Sequence, residues 1–291
     1  MSLEICVLGS GSSGNATLAL VNGSAMLIDA GIGPRAVQKR ANGTGVDVTD
    51  LRAILLTHLD TDHFRPTWFT TVLKCEIPIH CHQRHVHALY RALAGSRPSR
   101  DARLLQRHGL IRAFDDQPFE LTGWDAGAVR VHPLALQHDQ AGTYGYRIDT
   151  GRHRLGYATD LGRVTDPVVD HFTDIDMLAI ESNYDRQLQL ASARPEILKR
   201  RIMGGYGHLS NDQSFDAVRT IFQRSRQPLR HVALLHLSRD CNHPRIVADT
   251  FGQDPEIAAR VCITSATTRT AWLSVEADRR ETPRQQPMMF G

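Results

Sequence analysis

The chain lacks most of the features that would assign it to export, membrane insertion or bulk polyanion binding. Its five cysteines (Cys6, Cys75, Cys81, Cys241 and Cys262) are an odd number with no C-x-x-C spacing, which argues against a disulfide framework and against a thiolate zinc knuckle. No charge sign dominates: 34 Lys+Arg stand against 31 Asp+Glu, a net charge of +3, so any nucleic-acid contact must be local. Aromatic residues make up only 6%, and no base-stacking platform is evident. No stretch approaches the ~18 uninterrupted apolar residues of a membrane helix. The opening MSLEICVLGS carries no basic leader or cleavage pattern, so a cytoplasmic location without a membrane partner is expected. What the chain does have is an ordinary globular composition, 41% hydrophobic and 22% charged over 291 residues, enough to bury a substantial core. It also has an excess of histidine, 15 residues.

Apolar runs and turn signals predict strands at 5–8, 16–21 and 25–29, the last two joined by the hairpin signal Asn22-Gly23. A helix is expected from Pro34 to the Asn42-Gly43 region. A buried strand at 51–57, helices at 65–74 and 83–93, and a short strand at 77–81 follow. The pattern turns to β between 119 and 148, with further buried strands at 155–159, 176–180, 231–235 and 261–264 and helices at 195–203 and 213–223. Strands alternating with helices around a β-rich middle predict an α/β architecture of facing sheets with helices outside. One domain over 1–275 and a flexible tail over 276–291, rich in Arg, Gln and Pro, complete the expected organisation.

The densest chemistry is Thr57-His58-Leu59-Asp60-Thr61-Asp62-His63, where a buried strand gives out. In an extended turn His58 and Asp60 project the same way, while Asp62 and His63 open the next helix, so four ligand-type side chains can surround one point. Imidazole and carboxylate are donors for zinc, manganese or iron. A polar strand end with a helix cap would be the bland alternative. His138, Asp160 and His236 each follow an apolar run and precede a polar loop. Singly, each could be a buried histidine or a capping aspartate; together, on one sheet edge, they complete a cage.

The order Asp29, H-x-x-x-D-H, His138, Asp160, His236 resembles the metallo-β-lactamase fold superfamily over residues 5–264. The segments Gly-Ser-Gly-Ser-Ser-Gly-Asn at 9–15, Glu181-Ser182-Asn183, Gly207-His208-Leu209-Ser210-Asn211 and His236-Leu237-Ser238 resemble its WalJ/YycJ-type branch of exonuclease-like hydrolases. The resemblance implies a four-layer αββα sandwich holding two divalent metal ions (zinc, manganese or iron). One ion would take His58, Asp60 and His138, the other Asp62, His63 and His236, with Asp160 bridging. Two ions about 3.5–4 Å apart share a hydroxide that can attack a phosphodiester. Asp29 is then an outer residue that orients a ligating histidine. His208 would give a proton to the leaving oxygen or bond the phosphoryl oxygens, unless it merely precedes a helix capped by Ser210 or Asn211. Glu181 would orient His208 or a metal ligand, or is simply a buried strand-end carboxylate held by backbone amides. Catalytic work is assigned to Asp62, His208 and Glu181, and substrate contact to Ser210, Asn211 and Asn183.

Two departures from the family pattern stand out. Asp60 occupies a position where a second histidine is usual, which hardens the first site toward manganese or iron, or weakens it. Tyr184 and Arg239-Asp240-Cys241-Asn242 replace a histidine and a Glu-Asn-rich loop common in the branch. The glycine-rich 9–15 segment has no following lysine and is read as a bend that lets backbone approach the metals, not as a nucleotide loop. His80, His82, His85 and His87 are expected on a solvated surface; Arg200, Arg201, Arg224, Arg226 and Arg230 are expected on solvated faces, with contact to a phosphate backbone as the alternative. His236 follows Asp160 by 76 positions, which leaves no room for a clamp domain. The expected substrate is therefore a small phosphodiester, a nucleotide or a nucleic-acid end. An acyl hydrolase, such as a lactonase or thioesterase, and a non-catalytic metal-binding regulatory protein are the alternatives.

Overall fold

The computed structural model describes residues 2–94, 98–121, 124, 129–138 and 141–275; the tail expected over 276–291 lies outside the described residues. The strands are β1 (Leu3–Gly9), β2 (Ala16–Val21), β3 (Ser24–Ile28), β4 (Leu51–Leu55), β5 (Ile79–His82), β6 (Ile111–Phe114), β7 (Phe119–Leu121), β8 (Val129–Leu136), β9 (Thr143–Asp149), β10 (Arg154–Ala158), β11 (Met177–Glu181), β12 (His231–Leu235), β13 (Val261–Ile263) and β14 (Leu273–Ser274). The helices are α1 (Pro34–Ala41), α2 (Phe69–Cys75), α3 (Val86–Ala94), α4 (Pro98–Arg107), α5 (Asp166–His171), α6 (Arg186–Ala191), α7 (Glu196–Met203), α8 (Asn211–Arg224), α9 (Pro244–Phe251) and α10 (Pro255–Ala258).

Two seven-stranded sheets form, in the orders β14-β1-β2-β3-β4-β5-β6 and β13-β12-β11-β10-β9-β8-β7. Each is antiparallel through one half and parallel through the other. Period-two alternation explains how they stack. On β11, Met177 and Ala179 face the opposite sheet together with Ile5, Ile28, Tyr146 and Leu235. Leu178 and Ile180 face outward onto Val168, Phe172, Phe215, Val218 and Phe251. The outer face of the first sheet is covered in the same way, with Leu18, Leu27 and Ile54 beneath Val37, Trp68, Val72 and Leu89. Because both faces of each sheet are covered, the strands read as nearly continuous apolar runs. The result is the expected helix–sheet–sheet–helix sandwich.

Several local expectations change. Asp62 and His63 do not open a helix: His63 N and Phe64 N both bond back to the Asp60 carbonyl at 2.8 Å, and α2 begins only at Phe69 after the single 3-10 turn Pro66–Trp68. That turn is anchored where Trp68 Nε1 donates to the Ile32 carbonyl at 2.8 Å. His82 and His85 are buried, not solvated: the His82 ring stacks on Tyr144 at a centroid distance of 4.1 Å, and His85 meets the same ring edge-on at 6.2 Å. The strand period turns His82 away from Cys81 and toward the second sheet, where it meets Phe114 and Tyr144, which a count of histidines does not reveal. His87 is exposed as expected. The interval between Asp160 and His236 holds four helices instead of two, because α5 and α6 are only six residues long.

Candidate active site

The parallel halves of both sheets send their carboxyl ends to one edge, where β-sheet chemistry usually collects. Asp29 follows β3, the 57–63 turn follows β4, Asp160 follows β10, Glu181 ends β11 and His236 follows β12. His138 follows β8, which runs in the same direction as β10. Asp29, Asp160 and His236 all adopt left-handed backbone, with φ of 60°, 52° and 58°. An L-residue in that region is strained by roughly 1–2 kcal/mol. Three such residues around one point show that the fold tolerates strain to turn these side chains out of the strand direction and into the site.

The structure brings together the residues the sequence singles out. Donor atoms of His58, Asp60 and His138 lie within 4.8 Å of one another, as do those of Asp62, His63 and His236. Asp160 stands between the two groups: its Oδ2 is 2.8 Å from His63 Nε2 and its Oδ1 is 3.7 Å from His138 Nε2. The imidazoles share one orientation. His63 Nδ1 lies 2.8 Å from Asp29 Oδ2 and His138 Nδ1 lies 2.8 Å from the Gly207 carbonyl; both partners can only accept, so each Nδ1 carries the proton. His236 Nδ1 faces Glu181 Oε1 at 3.1 Å. The Thr57 hydroxyl donates to Asp29 at 2.9 Å and is left to accept from His58 Nδ1 at 3.0 Å. All four rings are thus tethered through Nδ1 to an outer partner, the arrangement that fixes ligating histidines in metal sites.

Electrostatics point the same way. Burial depresses His58 well below the usual imidazole range, and the neighbouring His63 adds to the shift. Burial is the largest single influence at His63 and His236 and would depress both, but the carboxylates together outweigh it: Asp160 with Asp29 at His63, and Asp160 with Asp62 and Glu181 at His236. His63 rises well above the ordinary value and His236 rises to about 10. Asp160 moves the other way, held well below the carboxylate range by His236 and His63 despite complete burial. Buried carboxylates and protonated imidazoles interleaved in this way mark a place where divalent cations displace protons. The donor set therefore suits such ions. Only Asp60 stands apart, with a side chain 55% exposed and 3.9 Å from His58 Nε2.

Glu181 has contacts of both expected kinds, one on each oxygen. Oε2 accepts the backbone amides of Leu161 at 2.9 Å and Leu209 at 3.4 Å, while Oε1 lies 2.7 Å from His208 Nδ1 and 3.1 Å from His236 Nδ1. Burial raises its carboxyl, but His208 and His236 pull it down to about 2. His208 in turn is raised, as Glu181 overcomes the effect of burial.

The three residues expected to touch substrate have internal partners instead. Ser210 caps α8, accepting from Gln213 N. Asn211 accepts from Ser182 Oγ at 2.8 Å and donates to Asn242 at 3.0 Å. Asn183 donates to the His236 carbonyl at 2.7 Å. All three are buried, and they brace the loops carrying His208 and His236.

Sequence reasoning missed Ser10, Asn15 and Thr57. Asn15 Nδ2 lies 2.9 Å from His63 Nε2 and 3.4 Å from Asp62 Oδ2, and Ser10 links Asn15 to His236 N. The available signal was the end of the glycine-rich segment: Gly11 and Gly14 adopt φ of 147° and 146°, so the chain can fold Asn15 back onto Asp62.

Asp29 offers a direct check on these outer contacts. Asn adopts left-handed backbone readily, so Asp29→Asn removes the charge and spares the turn. Metal affinity measured by competition with a chelating dye is expected to weaken about 10- to 100-fold; an unchanged affinity would exclude Asp29 from orienting His63.

Together these features define a metal-dependent hydrolase edge on a double sheet. Residues 25–231 match the family model described as Beta-lactamase superfamily domain, and the chain belongs to that family. It is similar to exodeoxyribonuclease YycJ of Bacillus anthracis, 26% identical over 253 residues and covering 87% of this chain and 89% of the relative. It is also similar to exodeoxyribonuclease WalJ of Streptococcus pneumoniae, 25% identical over 243 residues with 83% and 84% covered. These relatives are of the branch that the 9–15, 181–183 and 207–211 segments resemble. Among solved structures, a diphosphatase from the PhnP family superposes with a TM-score of 0.60 at 17% identity, over 94% of this chain and 98% of that one.

Proposed function

We propose that the chain is a metal-dependent phosphodiesterase of exonuclease-like character. It holds two divalent cations (zinc, manganese or iron) and acts on a small phosphodiester, a nucleotide or a nucleic-acid end. His58, Asp60 and His138 would hold one cation, Asp62, His63 and His236 the other, and Asp160 both. When bound, such a pair supplies an activated water at neutral pH and neutralises phosphate charge. The carboxylate of Asp60 favours the harder ions at the first position.

The observation that carries the phosphodiester reading is His208. Glu181 holds its Nδ1 at 2.7 Å and raises its proton affinity, and the same Nδ1 lies 3.4 Å from Asp160 Oδ1. The imidazolium is thereby fixed beside the centre with Nε2 as its remaining donor, ready to hydrogen-bond a phosphoryl oxygen or pass a proton to the leaving alkoxide. Glu181 acts through His208, positioning it and favouring its protonated form. The exodeoxyribonuclease names of both relatives support the reading.

A substrate panel tests it: bis-p-nitrophenyl phosphate, a dinucleotide, a thioester and a lactone, each with the manganese- or zinc-loaded protein. Hydrolysis of the two phosphodiesters is expected; an opened lactone or thioester beside intact phosphodiesters would identify an acyl hydrolase. His208→Ala should keep its metal and lose about 100-fold or more in kcat on the dinucleotide. The loss on bis-p-nitrophenyl phosphate should be smaller, because nitrophenolate leaves without a proton. Loss of metal instead would make His208 a ligand.

A further inference from the structure

Between Asn183 and His208 the chain leaves the site and returns to it. Both stems touch the centre: Asn183 donates to the His236 carbonyl at 2.7 Å, and the Gly207 carbonyl accepts from His138 at 2.8 Å. Every exposed large hydrophobic side chain among the described residues lies on this excursion: Leu188, Leu190, Ile197, Leu198 and Tyr206. Five bases (Arg186, Arg194, Lys199, Arg200 and Arg201) against the single acid Glu196 give residues 186–206 a charge of +4, in a chain whose total is +3. Lys199 Nζ ties α7 to the Leu190 carbonyl of α6 at 2.6 Å, and Arg194 in the linker between them donates to Gln189 at 3.0 Å, so the excursion forms one braced surface of the molecule.

Tyr206 is 68% exposed and stands two residues before His208 in the chain. The turn that carries it is held by Gly207 N to the Gly204 carbonyl and His208 N to the Ile202 carbonyl, both 2.9 Å. The turn lies flat against the loop after Asp160: a β-carbon on Gly162 would come within 2.5 Å of the Gly205 carbonyl oxygen, and one on Gly205 would lie 3.8 Å from the exposed Arg163 stem. An exposed ring on a fixed turn, flanked by arginines at the edge of a phosphodiester-cleaving site, has the two elements of single-strand binding: a stacking surface and a cationic track. A second copy of the chain suits the face poorly, because a two-fold contact would set +4 against +4.

We propose that this face guides a single-stranded nucleic-acid end into the site, with Tyr206 stacking a base and Arg163, Arg200 and Arg201 meeting its phosphates. The inference rests on the phosphodiesterase reading and names its substrate class. The low aromatic content conceals the platform because one placed ring is enough.

The test compares the metal-loaded full-length chain with its Tyr206→Ala and Tyr206→Phe variants on a single-stranded oligonucleotide and on bis-p-nitrophenyl phosphate. Tyr206→Ala should raise KM for the oligonucleotide about tenfold and lower the ratio of kcat/KM on the two substrates by the same factor; Tyr206→Phe should restore both. Arg200→Glu combined with Arg201→Glu should flatten the salt dependence of oligonucleotide KM. A Tyr206→Ala ratio equal to wild type overturns the proposal while leaving the phosphodiesterase reading intact. So does a change of sedimentation coefficient with both substrates affected alike, which would make the face a contact between copies. Wild-type protein inert toward both phosphodiesters rejects the underlying reading itself.

Discussion

Asp160→Asn is expected to lower phosphodiester hydrolysis by roughly a thousandfold or more, the scale set by losing activated water at neutral pH, and to lower the amount of metal retained through gel filtration. The substitution keeps the size of the side chain, and Asn accepts the left-handed φ of 52° found there, so neither packing nor backbone accounts for the loss. What disappears is the one charge shared by both donor groups, 2.8 Å from His63 Nε2 and 3.7 Å from His138 Nε2. In the metal-free chain the same carboxylate balances the protons on His63 and His236, and an unbalanced buried charge is strongly unfavourable. Rate and bound metal assayed on the same sample check the prediction. Full activity with Asn would remove Asp160 from the centre.

Gly31→Ala should be the most damaging substitution that touches no donor atom. A β-carbon at Gly31 would lie 1.7 Å from the Asp62 carbonyl oxygen and 2.8 Å from Asn15 N. This is backbone against backbone, with no flexible side chain to yield. Gly31 N also bonds the Asn15 carbonyl and Asn15 N the Asp62 carbonyl, at 2.9 and 2.7 Å, so relief can come only by moving the turn that presents Asp62 and His63. The expected cost is about 3 kcal/mol or more, a fall of roughly 10 °C in Tm, together with weakened metal retention. Gly33→Ala is the control. Its β-carbon would meet only Thr67 Oγ1 at 3.2 Å, a side-chain atom free to turn, and its Tm should stay near wild type. Equal Tm values for the two variants would contradict the packing described here.

The parts of this molecule legible in the sequence are those in which one residue type does one job. The H-x-x-x-D-H run, Asp160 and His236 stand out because apolar strands end at them, and the structure assembles them as the two triads with Asp160 between. The alternation Met177-Leu178-Ala179-Ile180 carries the layer order. What escaped reading depends on contacts between distant segments. Asn15 reaches Asp62 and His63 only because two glycines bend the 9–15 loop across 47 or more positions. His82 and His85 are buried by Tyr144, which lies on the other sheet, so their own segment holds no sign of it. Ser210, Asn211 and Asn183 resemble substrate contacts by motif, yet each has its hydrogen-bonding groups committed to a cap or a neighbouring loop. The left-handed backbone at Asp29, Asp160 and His236 is invisible in residue type, since the strain is imposed by the strands that end there.

The central claim is that this sheet edge holds divalent metal which makes it cut phosphodiesters. The most direct measurement is a metal titration of chelator-stripped protein, with bound zinc or manganese determined by mass spectrometry and bis-p-nitrophenyl phosphate hydrolysis followed in the same tubes. The rate should rise from baseline in step with occupancy and reach its plateau at two ions per chain. A stripped protein that retains its rate, or a fully loaded one that leaves the phosphodiester intact, would contradict the account.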